Sequence, residues 1–267
     1  MAYVVENAVD AGQAPAESTY EQPLNERMRT FLRLEFLYRK TNYHFGRQDE
    51  LDTRQTIDSI LEIGAILARG DVRSEVLKEI EKQSEQLQCF LNSPGVDTSR
   101  LMSVIEVLGG HREAVNSIGP HYLQTIKDSE FLSAIKHRSA IPGGTCEFDL
   151  PLFSHWLRRD YDDRKQDMSA WLKELQPLCS AVTEVMWLIR QSGQSSDCVA
   201  QAGIFPHSLS RESNCRMLRV TLKDQRELFP EISGSPQRFT IRFLRWDTVD
   251  ARPVQTDQDV PFQLGIC

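Results

Sequence analysis

Apolar residues recur at helical spacing as far as Ser192, and beyond Gly193 they begin to alternate. That change of period constrains the chain more than any motif, because a pattern of period 3.6 cannot present one apolar face in a sheet, nor a period of 2 in a helix. Helices first and short strands afterwards is the order of an α+β protein. The expected organisation is a disordered acidic leader over 1–19, a mainly α-helical domain over 20–192 and a smaller antiparallel β-sheet domain over 193–267.

The helical part is punctuated clearly. LNERMRTFLRLEFLYRKTNYHF sets Leu24, Met28, Leu32 and Phe36 on one stripe, widened by Phe31 and Phe45, with Arg29 and Arg33 on another face and Asn25 near its start. LDTRQTIDSILEIGAILAR stops at Gly70, and Asp71 can cap the next run, whose stripe is Val72, Val76, Ile80 and Leu87. NSPG breaks the chain before Asp97, which can cap a run containing Leu101, Val104, Ile105 and Leu108. Another helix is expected from Gly119 or Pro120 to about His137, followed by the break IPGG at Ile141–Gly144. FDLPLFSHWLRR and MSAWLKELQPLCSAVTEVMWLIRQSG continue the helical pattern, with Pro177 placed for the first turn of a restarted helix. Trp171, Leu175, Leu178, Val182, Val185 and Ile189 follow a four-three spacing that suits a buried helix or a short coiled-coil seam.

After Gly193 come CVAQAGIFPHSL, CRMLRVTL, QRFTIRFLRW and VPFQLGI, rich in branched and aromatic residues and separated by turn-forming clusters such as EISGSP. In RFTIRF, Phe239, Ile241 and Phe243 point one way, and Arg238, Thr240 and Arg242 the other. In MLRVTLK, Met217, Arg219, Thr221 and Lys223 oppose Leu218, Val220 and Leu222. If these two strands pair, Arg219, Lys223, Arg238 and Arg242 converge on one sheet surface. Such a surface either guards a sheet edge against aggregation or recognises carboxylates, which a guanidinium fork matches in bidentate fashion.

Composition narrows the function. The 267 residues carry a net charge of -7, which argues against a general binder of nucleic acid or of anionic membrane surfaces. No run reaches the roughly 18 apolar residues of a membrane span, and the N-terminus has no basic region followed by an apolar run, so a cytoplasmic protein without membrane insertion is expected. Cys89, Cys146, Cys179, Cys198, Cys215 and Cys267 include no CxxC pair and suit reduced thiols. GxGxxG, GxxxxGK[ST], HExxH and GxSxG are all absent. No histidine pair has i, i+4 ligand spacing, so neither a metal nor a cofactor is expected. The remaining enzymatic alternative is a cysteine nucleophile at Cys146 in GGTC, served by His137 or His155, with Lys136 and Arg138 to make it electropositive. A nucleic-acid binder using the arginine face is the other alternative, though exposed aromatics do not interleave its charges.

The blocks YEQPLNERMRTFLRLEFLYR, GDVRSEVLKEIEK, SPGVDTSRLM, IPGGTCEFDLP, LQPLCSAVTEVMWLIRQSG, MLRVTL and FPEISGSPQRFTIRF, in this order from Tyr20 onward, resemble the ZapD family of bacterial cell-division proteins. The resemblance implies a non-enzymatic, cytoplasmic homodimer that binds the C-terminal tail of FtsZ at the mid-cell division ring, bundles FtsZ filaments and consumes no nucleotide or metal. It implies a basic tail pocket drawn from RFxIRF, RTFLRLEF and RGDVR, which here supply Arg238, Arg242, Arg33 and Arg69, with Lys127 from a later helix. Arg219 joins this set through the alternation of its strand. In FDLPLFSHWL this chain has Ser154 where the family commonly has a histidine, and His155 follows one helical step, about 100°, further round.

Overall fold

The computed structural model describes residues 17–91, 93–210, 215–235 and 237–267. The chain is an α+β protein that divides into two units. One is the helical unit Arg29–Gln191, and the other joins Ser192–Cys267 to the N-terminal residues as far as Met28. Of the expected leader, residues 1–16 lie outside the described residues. Glu17–Thr19, expected to be disordered, open a strand, β1 (Glu17–Pro23). The strand exists because β4 (Met217–Lys223) pairs with it antiparallel from Glu17↔Lys223 to Pro23↔Met217, a partner some two hundred residues away that local composition does not reveal.

The helical unit contains α1 (Glu26–Phe45), α2 (Glu50–Arg69), α3 (Val72–Cys89), α4 (Thr98–Asn116), α5 (Gln124–Lys127), α6 (Glu130–Ser139), α7 (Pro151–Leu157) and α8 (Tyr161–Ser192). Short acids open α2, α3 and α4: Asp49, Asp71 and Asp97 accept from the backbone N–H of Leu51, Ser74 and Arg100. Asn25 does the same for Met28 at 2.9 Å. The buried face of α2 mixes Ile57, Ile60 and Ile63 with Thr53, Thr56 and Ser59. These hydroxyls cost little to bury because each donates to a carbonyl four residues back, at 3.0, 2.9 and 2.8 Å.

Three helical expectations change. The single helix expected over 119–137 is two, because Ser129 caps a fresh start by accepting from the Leu132 N–H. The restart at Pro177 does not occur: α8 runs through it. Burial of Leu175, Leu178 and Cys179 on both sides of the proline holds the helix together where one backbone hydrogen bond is missing. In α1 the buried stripe is Met28, Phe31, Leu34 and Leu37, and Phe36 is 55% exposed, on the side that carries Arg33.

The β unit contains two four-stranded sheets. The first has the order β1-β4-β8-β2, with β2 (Gln194–Ala200) and β8 (Val260–Ile266). The second has the order β3-β6-β5, with β3 (Ile204–Ser208), β5 (Leu228–Gly234) and β6 (Arg238–Arg245), and β7 (Val254–Gln255) paired to β6. The segment CVAQAGIFPHSL is thus two strands. It turns a corner at Gly203, where φ is +72° and an added Cβ would lie 2.4 Å from the Thr256 carbonyl oxygen, so only glycine fits.

The two sheets face each other across one core: Leu218, Val220, Leu222, Phe262 and Leu264 from the first, and Phe239, Ile241 and Phe243 from the second. Phe262 meets Phe205 and Phe243 with ring centroids 5.2 and 5.0 Å apart. Because β4 and β6 both point their apolar faces into this core from opposite sides, they do not pair, and the expected convergence of Arg219 and Lys223 with Arg238 and Arg242 does not form.

Replacing Phe243 by Ala should lower stability by about 3–5 kcal/mol in urea denaturation, whereas Arg242→Ala should cost about 1 kcal/mol or less. Burial pushes the Cys179 thiol up to about 12 and the Cys215 thiol up to about 11. Both therefore stay protonated in mildly alkaline buffer, and Ellman's reagent should react first with exposed Cys89 and reach these two only on denaturation.

Candidate functional site

β6 places the arginines. Burial of Phe239, Ile241 and Phe243 leaves Arg238, Thr240 and Arg242 on the outer face of the second sheet, as alternation predicts. Arg238 and Arg242 are four residues apart, so their Cα atoms are about 13 Å apart along the strand. With the two side chains extended side by side, that spacing suits a peptide whose acidic groups are several residues apart.

The register supplies what surrounds them. Arg242 lies between Ile204 of β3 and Glu231 of β5, Thr240 between Pro206 and Ser233, and Arg238 opposite Ser208. Direct cross-strand partners share a face, so Ile204 and Pro206 form an apolar flank beside the cationic row. The Arg242 guanidinium is paired with the Glu231 carboxylate, both side chains being about half exposed. Arg238 has no side-chain partner among the described residues. Both outer strands of this sheet carry a proline, Pro206 in β3 and Pro230 in β5, and each removes a donor from its edge. The side-chain face, rather than strand addition, is the surface this sheet offers to an extended ligand.

Arg219 lies on the other sheet, on the face turned away from the core. Its Nε donates to Glu21 Oε1 at 3.1 Å, and its side chain lies over Gly265, where a Cβ would come within 3.2 Å of it. Arg33, Arg69 and Lys127 belong to the helical unit, at the second turn of α1, the last residue of α2 and the last residue of α5. All three are exposed, and none has a side-chain partner among the described residues. No described interaction joins the three to one another.

Exposed Phe36 and Tyr43 follow Arg33 at helical steps of three and ten residues, giving α1 a mixed cationic and aromatic face. Arg47 covers the Tyr43 ring, 3.8 Å from its centroid. Lys40 of the same face acts on Asp58 of α2, whose carboxyl is raised by burial, with Lys40 opposing the rise. Sequence reasoning missed Phe36, Ile204, Pro206 and Glu231. Period-2 reading of IFPHS places Ile204 and Pro206 on one side, but only the register puts them beside Arg242. Cys146 is half-buried and its Sγ donates to Asp149 Oδ2 at 3.6 Å, a carboxylate partner where a catalytic thiol needs an imidazole. Among the described residues, no helix is long and apolar enough to cross a membrane.

The sequence matches the family model described as "ZapD: Cell division protein" over residues 32–242, a span that contains all six candidate cations. The chain belongs to the ZapD family of cell division proteins. Its relatives include the proteins named "Cell division protein ZapD" of Chromobacterium violaceum, 34% identical over 93% of this chain and 98% of the relative. Those of Methylococcus capsulatus and Cupriavidus metallidurans are each 36% identical over 93% of this chain, covering 97% and 98% of the relatives. A role in cell division follows for this ZapD-family chain.

The Arg242–Glu231 pair is a surface pair, so Glu231→Gln should shift stability by about 1 kcal/mol or less in urea denaturation while releasing a guanidinium for ligand.

Proposed function

We propose that this ZapD-family protein is a non-enzymatic, cytoplasmic adaptor of the mid-cell division ring, which binds the C-terminal tail of FtsZ and, as a homodimer, cross-links and bundles FtsZ filaments. The observation that carries this reading is the outer face of the second sheet. It combines Arg238, whose side chain has no partner among the described residues, with Arg242, whose partner is exchangeable, and with an apolar flank of Ile204 and Pro206. An acidic peptide with aliphatic residues finds both of its needs met there. Arg33, with Phe36 beside it, Arg69 and Lys127 provide further cations on the helical unit. Arg219 contributes only if a tail carboxylate displaces Glu21.

Charge-assisted hydrogen bonds of this kind contribute about 1.5–3 kcal/mol each, so a few of them support binding at about the micromolar level. Two such sites linked in a dimer gain roughly a hundred- to ten-thousand-fold in apparent affinity on a filament that displays many tails.

The test is a fluorescence-anisotropy titration of a labelled FtsZ tail peptide. Arg238→Ala and Arg242→Ala should each weaken binding by about ten- to a hundred-fold, Glu231→Gln should strengthen it, and added salt should weaken it progressively. Wild-type affinity in both arginine variants would move the tail site off β6, and no binding by the wild type would remove the reading.

A further inference from the structure

We propose that the outer face of the second sheet carries an apolar shelf beyond Arg242, read by Trp246, and that its occupant is a peptide with a large apolar side chain a few residues from its acidic groups. The inference rests on the adaptor reading for the sheet face that a peptide covers, and adds the residue that reads the peptide's apolar side chain. Trp246 is 47% exposed. A large aromatic ring on a face that also carries cations is the kind of side chain that anchors a partner.

Alternation continues past the two arginines. With Phe243 in the core, Leu244 follows Arg242 on the outer face and Trp246 follows Leu244. Trp246 lies one residue beyond β6, yet its backbone N–H donates to the Glu227 carbonyl at 3.4 Å and so carries the pairing with β5 one step further. Phe229 of β5 is the direct partner of Leu244, so the two share that face, and both are half-buried. At the other end of the row the neighbours are hydroxyls, Ser208 opposite Arg238 and Ser233 opposite Thr240. The face is thus cationic and polar toward Arg238 and apolar toward Trp246, with Arg242 at the boundary.

The indole is held by its one polar atom. Trp246 Nε1 donates to the Ala251 carbonyl at 2.9 Å, and the Ala251 N–H donates to the Thr248 carbonyl at 3.2 Å, so the loop after β6 closes on the ring. A ring whose N–H is already satisfied can be covered without stranding a donor, and one already ordered loses little freedom on binding. Arg242 and Trp246 are four residues apart, about 13 Å along the strand, and Arg238 is about 26 Å from Trp246. An extended peptide advances at the same pace, so its apolar residue falls within about two to four residues of the acid that meets Arg242, on the side away from Arg238. Arg226, Glu227 and Asp247 put both signs of charge beside Trp246, where a nucleic acid or an anionic lipid surface would need cations throughout. The occupant is therefore a short peptide with separate acidic and apolar parts.

Fluorescence anisotropy of the full chain with two labelled model peptides tests it. One peptide carries two aspartates followed, after about three residues, by a phenylalanine, and the other has alanine in place of the phenylalanine. The wild type should bind the first about ten-fold more tightly than the second, and Trp246→Ala should bind the first about ten-fold more weakly than the wild type does and the second with unchanged affinity. Tryptophan emission should shift when the first peptide is added to the wild type and should not shift in Trp246→Phe. A wild type that binds the two peptides equally or not at all, or a Trp246→Ala variant that loses both alike, overturns the proposal. If Trp246→Ala fails to fold by circular dichroism, an emission shift that persists in Trp246→Phe overturns it. FtsZ tail binding that is equal in the wild type and Trp246→Ala overturns this inference and leaves the adaptor reading. A wild type that prefers the phenylalanine peptide but binds no FtsZ tail removes the adaptor reading and leaves this inference.

Discussion

The contact between Phe239, Ile241 and Phe243 on one sheet and Val220, Leu222, Phe262 and Leu264 on the other determines what the β unit can present to its surroundings. With period-2 geometry, burying that row obliges Arg238, Thr240 and Arg242 to face outward. A slip of one residue in β6 would bury two guanidinium groups and expose three apolar side chains, which is far costlier than any single surface contact. The position of the arginine face is therefore a by-product of hydrophobic burial. The ligand it suits needs no separate folding device to orient it.

The same core explains where local reading succeeded and where it failed. Alternation within β6 was legible because both partners of the pattern, the phenylalanines and the arginines, lie within one octapeptide. The caps at Asp71 and Asp97 were legible for the same reason: donor and acceptor are three residues apart. Pairing between strands was not. Whether β4 neighbours β6 or faces it from the other sheet depends on β8 and on β1, which lies some two hundred residues from its partner. The exposure of Phe36 was also hidden, because its spacing from Met28 and Leu32 fits a stripe that the helix does not bury. The true stripe steps by threes through Met28, Phe31, Leu34 and Leu37, and only packing decides between the two. Of the candidate site, residue types and the two β6 positions were visible in the sequence; the apolar flank and the carboxylates that hold Arg219 and Arg242 required the register.

The state of each arginine separates structural charges from available ones. Arg190 grips Glu35 with two bonds of 2.7 and 2.6 Å in a largely covered setting, and buried Arg164 donates to the Thr53 hydroxyl and the Gln48 carbonyl at 2.6 and 3.2 Å. Breaking such contacts strands a desolvated charge, so these residues belong to the fold of the helical unit. Arg138, Arg158 and Arg159 are more exposed but already matched, and Arg54 is matched too. Arg33, Arg69 and Arg238 are neither buried nor matched among the described residues, and Arg242 is matched by a partner that water already reaches. A chain whose net charge is -7 keeps these few cations accessible although acidic residues outnumber basic ones overall. Local positive potential on a protein of net negative charge favours a short acidic segment over a long polyanion, because the longer chain meets more of the net repulsion. The proposed selectivity for a tail then rests on the contrast between a small cationic face and the chain's net negative charge as much as on the face itself.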